Sequence, residues 1–234
     1  MEAVIPAAGR GSRLGALTDA QPKGLVEVAG QPLLASVFDR AVEAGADELV
    51  VVIGYEGAQI VDQFGDSFHE TPITYVHQRE RRGLAHAVLH AEPHVAGAFL
   101  VVNGDNVFAE LLQPAVAALH RDGVDGVIAA EEVSRDTASR TGVVELAGEA
   151  VARIVEKPTA PSSTLVTTGC FVLPDATFEA CTLVQPSAEG EYQLSEAVGL
   201  LAHAGYTITT VRVGKRVNVN TPADIERAEA LVQD

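Results

Sequence analysis

Two short stretches carry residue types suited to phosphate chemistry. The first is Ala7-Ala8-Gly9-Arg10-Gly11-Ser12-Arg13-Leu14, directly after a short apolar run, Ala3–Pro6. Gly9 and Gly11 lack a Cβ, so backbone there can approach a ligand closely. Loop N–H groups after a strand, here from Ala7 through Ser12, can cradle phosphate oxygens. Arg13 adds a guanidinium whose fork matches phosphate geometry. Pro22-Lys23 places a second cation across the loop. A triphosphate needs such convergent positive charge, above all in a chain of net charge -16. A dinucleotide fingerprint would need glycine where Leu14 stands, and a Walker loop would need Gly-Lys-Ser/Thr at its end; both fit worse. The second stretch is Val101-Val102-Asn103-Gly104-Asp105-Asn106, after an apolar strand. Ligands of open α/β sheets bind at the carboxyl ends of strands. Asp105, preceded by Gly104, is placed there to hold Mg²⁺ against phosphate oxygens.

The elements that must position these groups alternate along the chain. Glu48–Ile53 and Ala98–Val102 are continuous apolar runs, as strands covered on both faces are. Ile73–His77 and Gly126–Ala130 are strand-like. Pro32–Ala44 has helical spacing, and Ile60–Phe64, Leu84–Ala91 and Leu111–His120 read as further helices. Such alternation predicts a Rossmann-like α/β fold: a mixed, mostly parallel sheet with helices on both faces. Past Val133 the pattern changes. Gly142–Leu146, Val151–Val155 and Thr164–Val172 are closely spaced strand candidates, expected to form a small antiparallel insertion. Helical signals return at Tyr192–Ala204 and Thr221–Leu231. The second starts with Thr221 as N-cap and Pro222 at the first helical position. The expected organisation is one domain over 1–234. Its nucleotide-binding half is about 1–130 and its acceptor-binding part about 131–234.

The loop, with Arg13 and Pro22-Lys23, resembles the signature of the sugar-1-phosphate nucleotidyltransferases, a family of glucose-1-phosphate thymidylyl- and uridylyltransferases. The resemblance runs over nearly the whole chain. It implies transfer of a nucleoside monophosphate from an NTP, with UTP or dTTP favoured, to a sugar 1-phosphate, with Mg²⁺ as cofactor. It implies catalytic roles for Arg13, Lys23 and Asp105. It also implies that Gln78 and Gly83, in His77-Gln78-Arg79-Glu80-Arg81-Arg82-Gly83-Leu84-Ala85, contact the base. An amide can read a pyrimidine edge with one donor and one acceptor. Ile154-Val155-Glu156-Lys157-Pro158 resembles the family's Glu-Lys-Pro motif, which implies Glu156 on sugar hydroxyls and Lys157 on the sugar phosphate. Gly142, Thr168 and Gly169 match further acceptor-side positions, and Glu191–Ser195 resembles a third such stretch. Val217-Asn218-Val219-Asn220-Thr221-Pro222 resembles a segment whose Asp binds the metal. This chain departs from the pattern, with Asn218 at the Asp position. An amide oxygen from Asn218 or Asn220 can ligate Mg²⁺ without adding charge.

Other readings follow from the same residues. A CTP-dependent cytidylyltransferase for phosphocholine or inositol phosphate shares the Asn-Val-Asn-Thr-Pro ending. The Asn at the second metal position keeps open a catalytically silent nucleotide-sensing subunit. An NAD-dependent oxidoreductase is disfavoured by Leu14. The histidines, among them His69, His86, His90, His94, His120 and His203, show no ligand spacing and read as surface or satisfied core residues. Cys170 and Cys181 lie among apolar neighbours and read as buried thiols.

Composition narrows the partners. A net charge of -16 disfavours nucleic acid. No uninterrupted apolar stretch reaches membrane-spanning length, and the N-terminus lacks a basic n-region, so no membrane partner and a cytoplasmic location are expected. Relatives are often oligomeric, which allows a homo-oligomer, but the sequence carries no interface signal. The acidic excess is spread along the chain and fits either adaptation to high salt, where surface carboxylates are screened, or an ordinary acidic soluble protein.

Overall fold

The computed structural model describes residues 1–233; Asp234 lies outside that description. Ten strands build one sheet: β1 (Glu2–Pro6), β2 (Glu48–Ile53), β3 (Ser67–Phe68), β4 (Thr71–His77), β5 (Phe99–Val102), β6 (Gly126–Glu132), β7 (Gly142–Ala147), β8 (Ala150–Glu156), β9 (Leu165–Leu173) and β10 (Ile208–Arg212). Their order across the sheet is β7-β8-β10-β6-β9-β5-β1-β2-β4-β3. The helices are α1 (Leu33–Glu43), α2 (Gly57–Phe64), α3 (Leu84–Leu89), α4 (Gln113–Leu119), α5 (Arg135–Ala138), α6 (Ala176–Leu183), α7 (Leu194–His203) and α8 (Pro222–Gln233).

The apolar runs are strands because both faces of the sheet are covered. In β2, Val50 and Val52 pack into the core beneath α3, α6 and α7, while Leu49, Val51 and Ile53 pack beneath α1 and α4. Phe99 and Val101 of β5 divide from Leu100 and Val102 in the same way. Each such side chain, fully buried, contributes about 1.5–3 kcal/mol. Helix α1 buries Leu34, Val37, Phe38 and Ala41, a spacing that puts one stripe on the sheet.

The expected alternation holds through β6, with β4, β2, β1 and β5 parallel to one another. The antiparallel part differs from expectation. β7 and β8 do form an antiparallel hairpin, but β9 is no peripheral insertion. It lies in the middle of the sheet, antiparallel to β5 on one side and β6 on the other. Its residues from Leu165 to Leu173 are nearly all buried, as a central strand requires. Strand β10, parallel to β6, has no counterpart in the sequence reading.

This topology builds the site. The carboxyl ends of parallel β1, β5 and β4 carry the glycine loop, Asn103–Asn106 and Gln78, respectively. A separate two-stranded ladder pairs Asn106–Phe108 with Arg216–Asn218 and brings the late Asn segment beside Asp105. A small core of Leu14, Val26, Val28, Leu33, Val107, Val219 and Ala228 then fixes α8 under the glycine loop. The start of α8 is held by Asp224, whose Oδ2 accepts from the backbone N–H groups of Asn220 and Thr221 at 3.0 and 2.7 Å. That is the reciprocal half of a capping box, with Thr221 at the N-cap.

Candidate active site

Gly11 takes φ 71°, and a Cβ there would lie 2.9 Å from the Lys23 Cβ. Glycine thus lets the stem of Lys23 pass directly beneath the loop. The Lys23 ammonium donates to Asp105 Oδ2 at 2.8 Å and to Asn220 Oδ1 at 3.0 Å. The Arg13 guanidinium donates to the same Asn220 oxygen at 2.8 Å. Asn220 Nδ2 donates in turn to Asn218 Oδ1 at 2.6 Å. The two cations foreseen from the glycine-loop region therefore meet on one amide, and Lys23 links it to the distant Asp105.

Ala7, Gly9, Gly11, Ser12, Arg13, Lys23, Gly104, Asp105 and Asn220 line one cavity of about 350 Å³. A second, of about 330 Å³, shares Pro6, Gly9, Asp105 and Glu191 with it and adds Ala8, Gln78, Gly83 and Asn103. Both volumes lie in the range of small-ligand pockets. Gln78 is buried, and its Nε2 lies 2.8 Å from His86 Nδ1 and 3.4 Å from the Gly83 carbonyl oxygen.

A third cavity joins this trench through Leu84 and Asn103. Gly142, Glu156, Thr168, Gly169 and Asn218 line it. Gly169 takes φ 77°, and a Cβ there would strike the Asn103 and Asn106 amides at 2.7 and 2.8 Å. The Thr168 hydroxyl is already used, donating to the Ala129 carbonyl at 2.8 Å. Lys157 stands apart from these lining residues. Its ammonium lies 3.1 Å from Glu189 Oε2, and both side chains are more than half exposed.

The oxygen-rich set fits a hard divalent cation. Asp105 offers a carboxylate and Asn218 and Asn220 offer amide oxygens, donors that suit Mg²⁺. A positive group, the Lys23 ammonium, already bridges Asp105 and Asn220, which shows that these two oxygens converge on a cation. Among the described residues no group of three His, Cys, Asp or Glu side chains gathers to hold a metal. One carboxylate with amides binds Mg²⁺ mainly together with substrate phosphates, as is usual for this ion.

The family model described as nucleotidyl transferase matches residues 2–215. The chain belongs to the nucleotidyl transferase family. It is 45% identical to a UTP–glucose-1-phosphate uridylyltransferase of Haloferax volcanii, over 100% of this chain and 97% of that protein. It is 32% identical to a low-salt glycan biosynthesis nucleotidyltransferase of the same organism, over 99% of this chain and 66% of that one. Among solved structures, a UDP-glucose pyrophosphorylase complexed with UDP-glucose superposes with TM-score 0.88 at 24% identity, covering 98% of this chain and 97% of that one. That last likeness concerns the fold, and it agrees with the expected Rossmann-like sheet.

Two features of this nucleotidyl transferase escaped the sequence reading. Arg216 lines the third cavity, with its side chain only 8% exposed. Its Nη1 donates to Asn106 Oδ1 at 2.8 Å, its Nη2 to the Thr167 carbonyl at 3.1 Å, and its Nε lies 2.9 Å from Glu131 Oε1. Burial lowers the Arg216 pKa, opposed by the Glu131 and Asp105 charges. Burial raises that of Glu131, opposed by Arg216. Asn103 is the other: its buried Oδ1 has no hydrogen-bond partner, at a position lining both the base-side and the third cavity. Its place two residues before Asp105 was the available signal. The thiols behave as expected: burial pushes both Cys170 and Cys181 up to about 12. Among the described residues no helix is long and apolar enough to cross a membrane.

Proposed function

We propose that this chain transfers a uridylyl or thymidylyl group from UTP or dTTP to a sugar 1-phosphate, giving an NDP-sugar and pyrophosphate with Mg²⁺. The convergence of Arg13 and Lys23 on the Asn220 amide, with Lys23 also paired to Asp105, beside an adjoining polar cavity, carries this reading. The 45% identity to a uridylyltransferase over the full chain supports it and favours UTP.

The acceptor phosphate is anionic at neutral pH and needs no general base. One of its oxygens attacks the α-phosphorus in line; the α-phosphorus–oxygen bond to the β-phosphate breaks, and pyrophosphate leaves with that electron pair. Two polyanions must meet, so catalysis is positioning and charge stabilisation. Arg13, Lys23 and the loop N–H groups from Ala7 to Ser12 hold the triphosphate. Asp105, with Asn218 or Asn220, would hold the magnesium ion, which neutralises phosphate charge when bound. Gln78 and Gly83 contact the base. Glu156 accepts from sugar hydroxyls, with Gly142, Thr168 and Gly169 shaping the cavity around the ring. Lys157 reaches the acceptor phosphate by leaving Glu189, an exposed pair that holds it weakly.

A pyrophosphate-release assay over UTP, dTTP, CTP and several phosphorylated acceptors, in low and high KCl, tests the reading. Turnover with UTP or dTTP and a sugar 1-phosphate is expected. Turnover confined to CTP with phosphocholine or inositol phosphate would replace it with a cytidylyltransferase. Nucleotide binding without pyrophosphate release would make the chain a sensing subunit.

A further inference from the structure

The Gln78 amide is set by its surroundings. Its nitrogen lies 3.4 Å from the Gly83 carbonyl oxygen, and a carbonyl only accepts. The amide end facing Gly83 is therefore the NH₂ group. The same nitrogen lies 2.8 Å from His86 Nδ1, so that ring atom must be the acceptor. His86 is then a neutral imidazole protonated at Nε2. The amide atom left for the base-side cavity is Oε1, which has no protein partner among the described residues.

We propose that neutral His86, acting through Gln78, selects a pyrimidine carrying an N3–H over cytosine, and that protonating His86 reverses the preference. Uracil and thymine present a donor at N3; cytosine presents an acceptor there. An exposed Oε1 accepts from the first and faces the lone pair of the second. When His86 gains a proton, its Nδ1–H points at the Gln78 NH₂. The amide then turns, giving up its long 3.4 Å contact with the Gly83 carbonyl for a shorter charge-assisted bond that places Oε1 on His86 and offers NH₂ to the cavity. That NH₂ matches cytosine N3 and not uracil N3–H. This deepens the proposed transfer reaction and rests on it. His86 is a positioning residue, since it reaches the base only through Gln78.

The charged and titratable groups around His86 keep it neutral. The His90 ring packs edge-on at 4.5 Å on the same helix, and its Nδ1 lies 2.7 Å from the His86 carbonyl. Arg82 and Glu80 come from the preceding loop, and the Tyr192 ring lies 6.4 Å away from the segment before α7. Burial lowers the His86 pKa first, then the His90 and Arg82 charges; Glu80 opposes them. Reversal therefore sets in below the ordinary imidazole range near pH ~6.5.

The test uses the whole protein at high KCl. First, ¹⁵N NMR of wild-type imidazoles at pH 7.5 should show His86 neutral and protonated at Nε2. A charged ring or an Nδ1–H tautomer overturns the proposal. Second, kcat/KM for UTP and CTP with glucose 1-phosphate is measured from pH 8 to pH 5.5. The UTP:CTP ratio should fall at least about tenfold in wild type. In His86→Leu it should start lower and stay flat. A wild-type ratio that does not move while NMR shows His86 titrating overturns the proposal and leaves the transfer reaction standing. If no sugar phosphate reacts with any nucleotide, the transfer reading fails, and calorimetric UTP and CTP affinities supply the ratio with the same two outcomes.

Discussion

The Lys23 ammonium sits 2.8 Å from Asp105 Oδ2, across 82 residues of sequence, with side-chain exposures of 11% and 28%. Each neutralises the other. On the proposed function, the carboxylate would turn to bound Mg²⁺ and the ammonium to phosphate, so the pair would hold side by side the two charges that the reaction needs.

That arrangement predicts coupled losses. Asp105→Ala and Lys23→Ala should each lower pyrophosphate release by about 10²–10³, the usual cost of one stabiliser of developing charge. The double variant should lose far less than the product of the two, because residues acting as a unit are not additive. Multiplicative losses, or near-normal turnover in either single variant, would contradict the pairing.

The two asparagines should separate. Asn220 Oδ1 already accepts from both Arg13 and Lys23, whereas Asn218 Oδ1 accepts from a neutral amide. Asn220→Ala should therefore raise the KM for the nucleotide roughly tenfold, as hydrogen bonds to charged groups are lost. Asn218→Ala should instead raise the Mg²⁺ concentration needed for half-maximal rate. Steady-state kinetics with Mg²⁺ and nucleotide varied independently distinguish them; identical profiles would remove the distinction.

Arg216 makes a prediction about stability and its pH dependence. Arg216→Met leaves Glu131 half-buried without a counter-charge. Breaking a buried pair costs about 3–5 kcal/mol, and the residual exposure of Glu131 brings this to about 2–3. The sign follows from Glu131, whose folded pKa lies above its ordinary value because of burial. A raised carboxyl favours the fold when protonated, and that contribution is lost as pH rises through the folded pKa. The deficit of the variant should be largest at pH 7–8 and shrink toward pH 5. Arg216→Met/Glu131→Gln should recover much of it. Denaturant melts at several pH values measure all three.

Salt should help this protein. With net charge -16, self-repulsion opposes folding, and the same field repels anionic substrates. At about 1 M KCl the Debye length falls to about 3 Å and both effects are screened. Melting temperature and kcat/KM should both rise with KCl. A steady fall in either would contradict the reading of the acidic surface.

Much of this was legible because it is local. The glycine loop, Arg13 and Lys23 lie within a short stretch, and Asp105 closes an apolar strand that reads clearly. Residues that pair across long spans were not legible. Nothing near Leu165–Leu173 says that this strand inserts between β5 and β6, because a strand buried on both faces carries no alternation. Arg216 drew no reading from the sequence, since only Glu131 and Asn106, distant along the chain, make it a buried cation. His86 read as bland for the same reason: its meaning lies in the orientation it gives Gln78. Lys157 shows the converse, a recognisable motif lysine that rests on Glu189 and outside the cavity lining.

The most direct test is an experimental structure with Mg²⁺ and the product UDP-glucose bound. The account predicts the diphosphate between Arg13 and Asp105, the uracil on Gln78, and the sugar against Glu156 and Gly169. Nucleotide and sugar found away from this trench, with Lys23 still paired to Asp105, would contradict it.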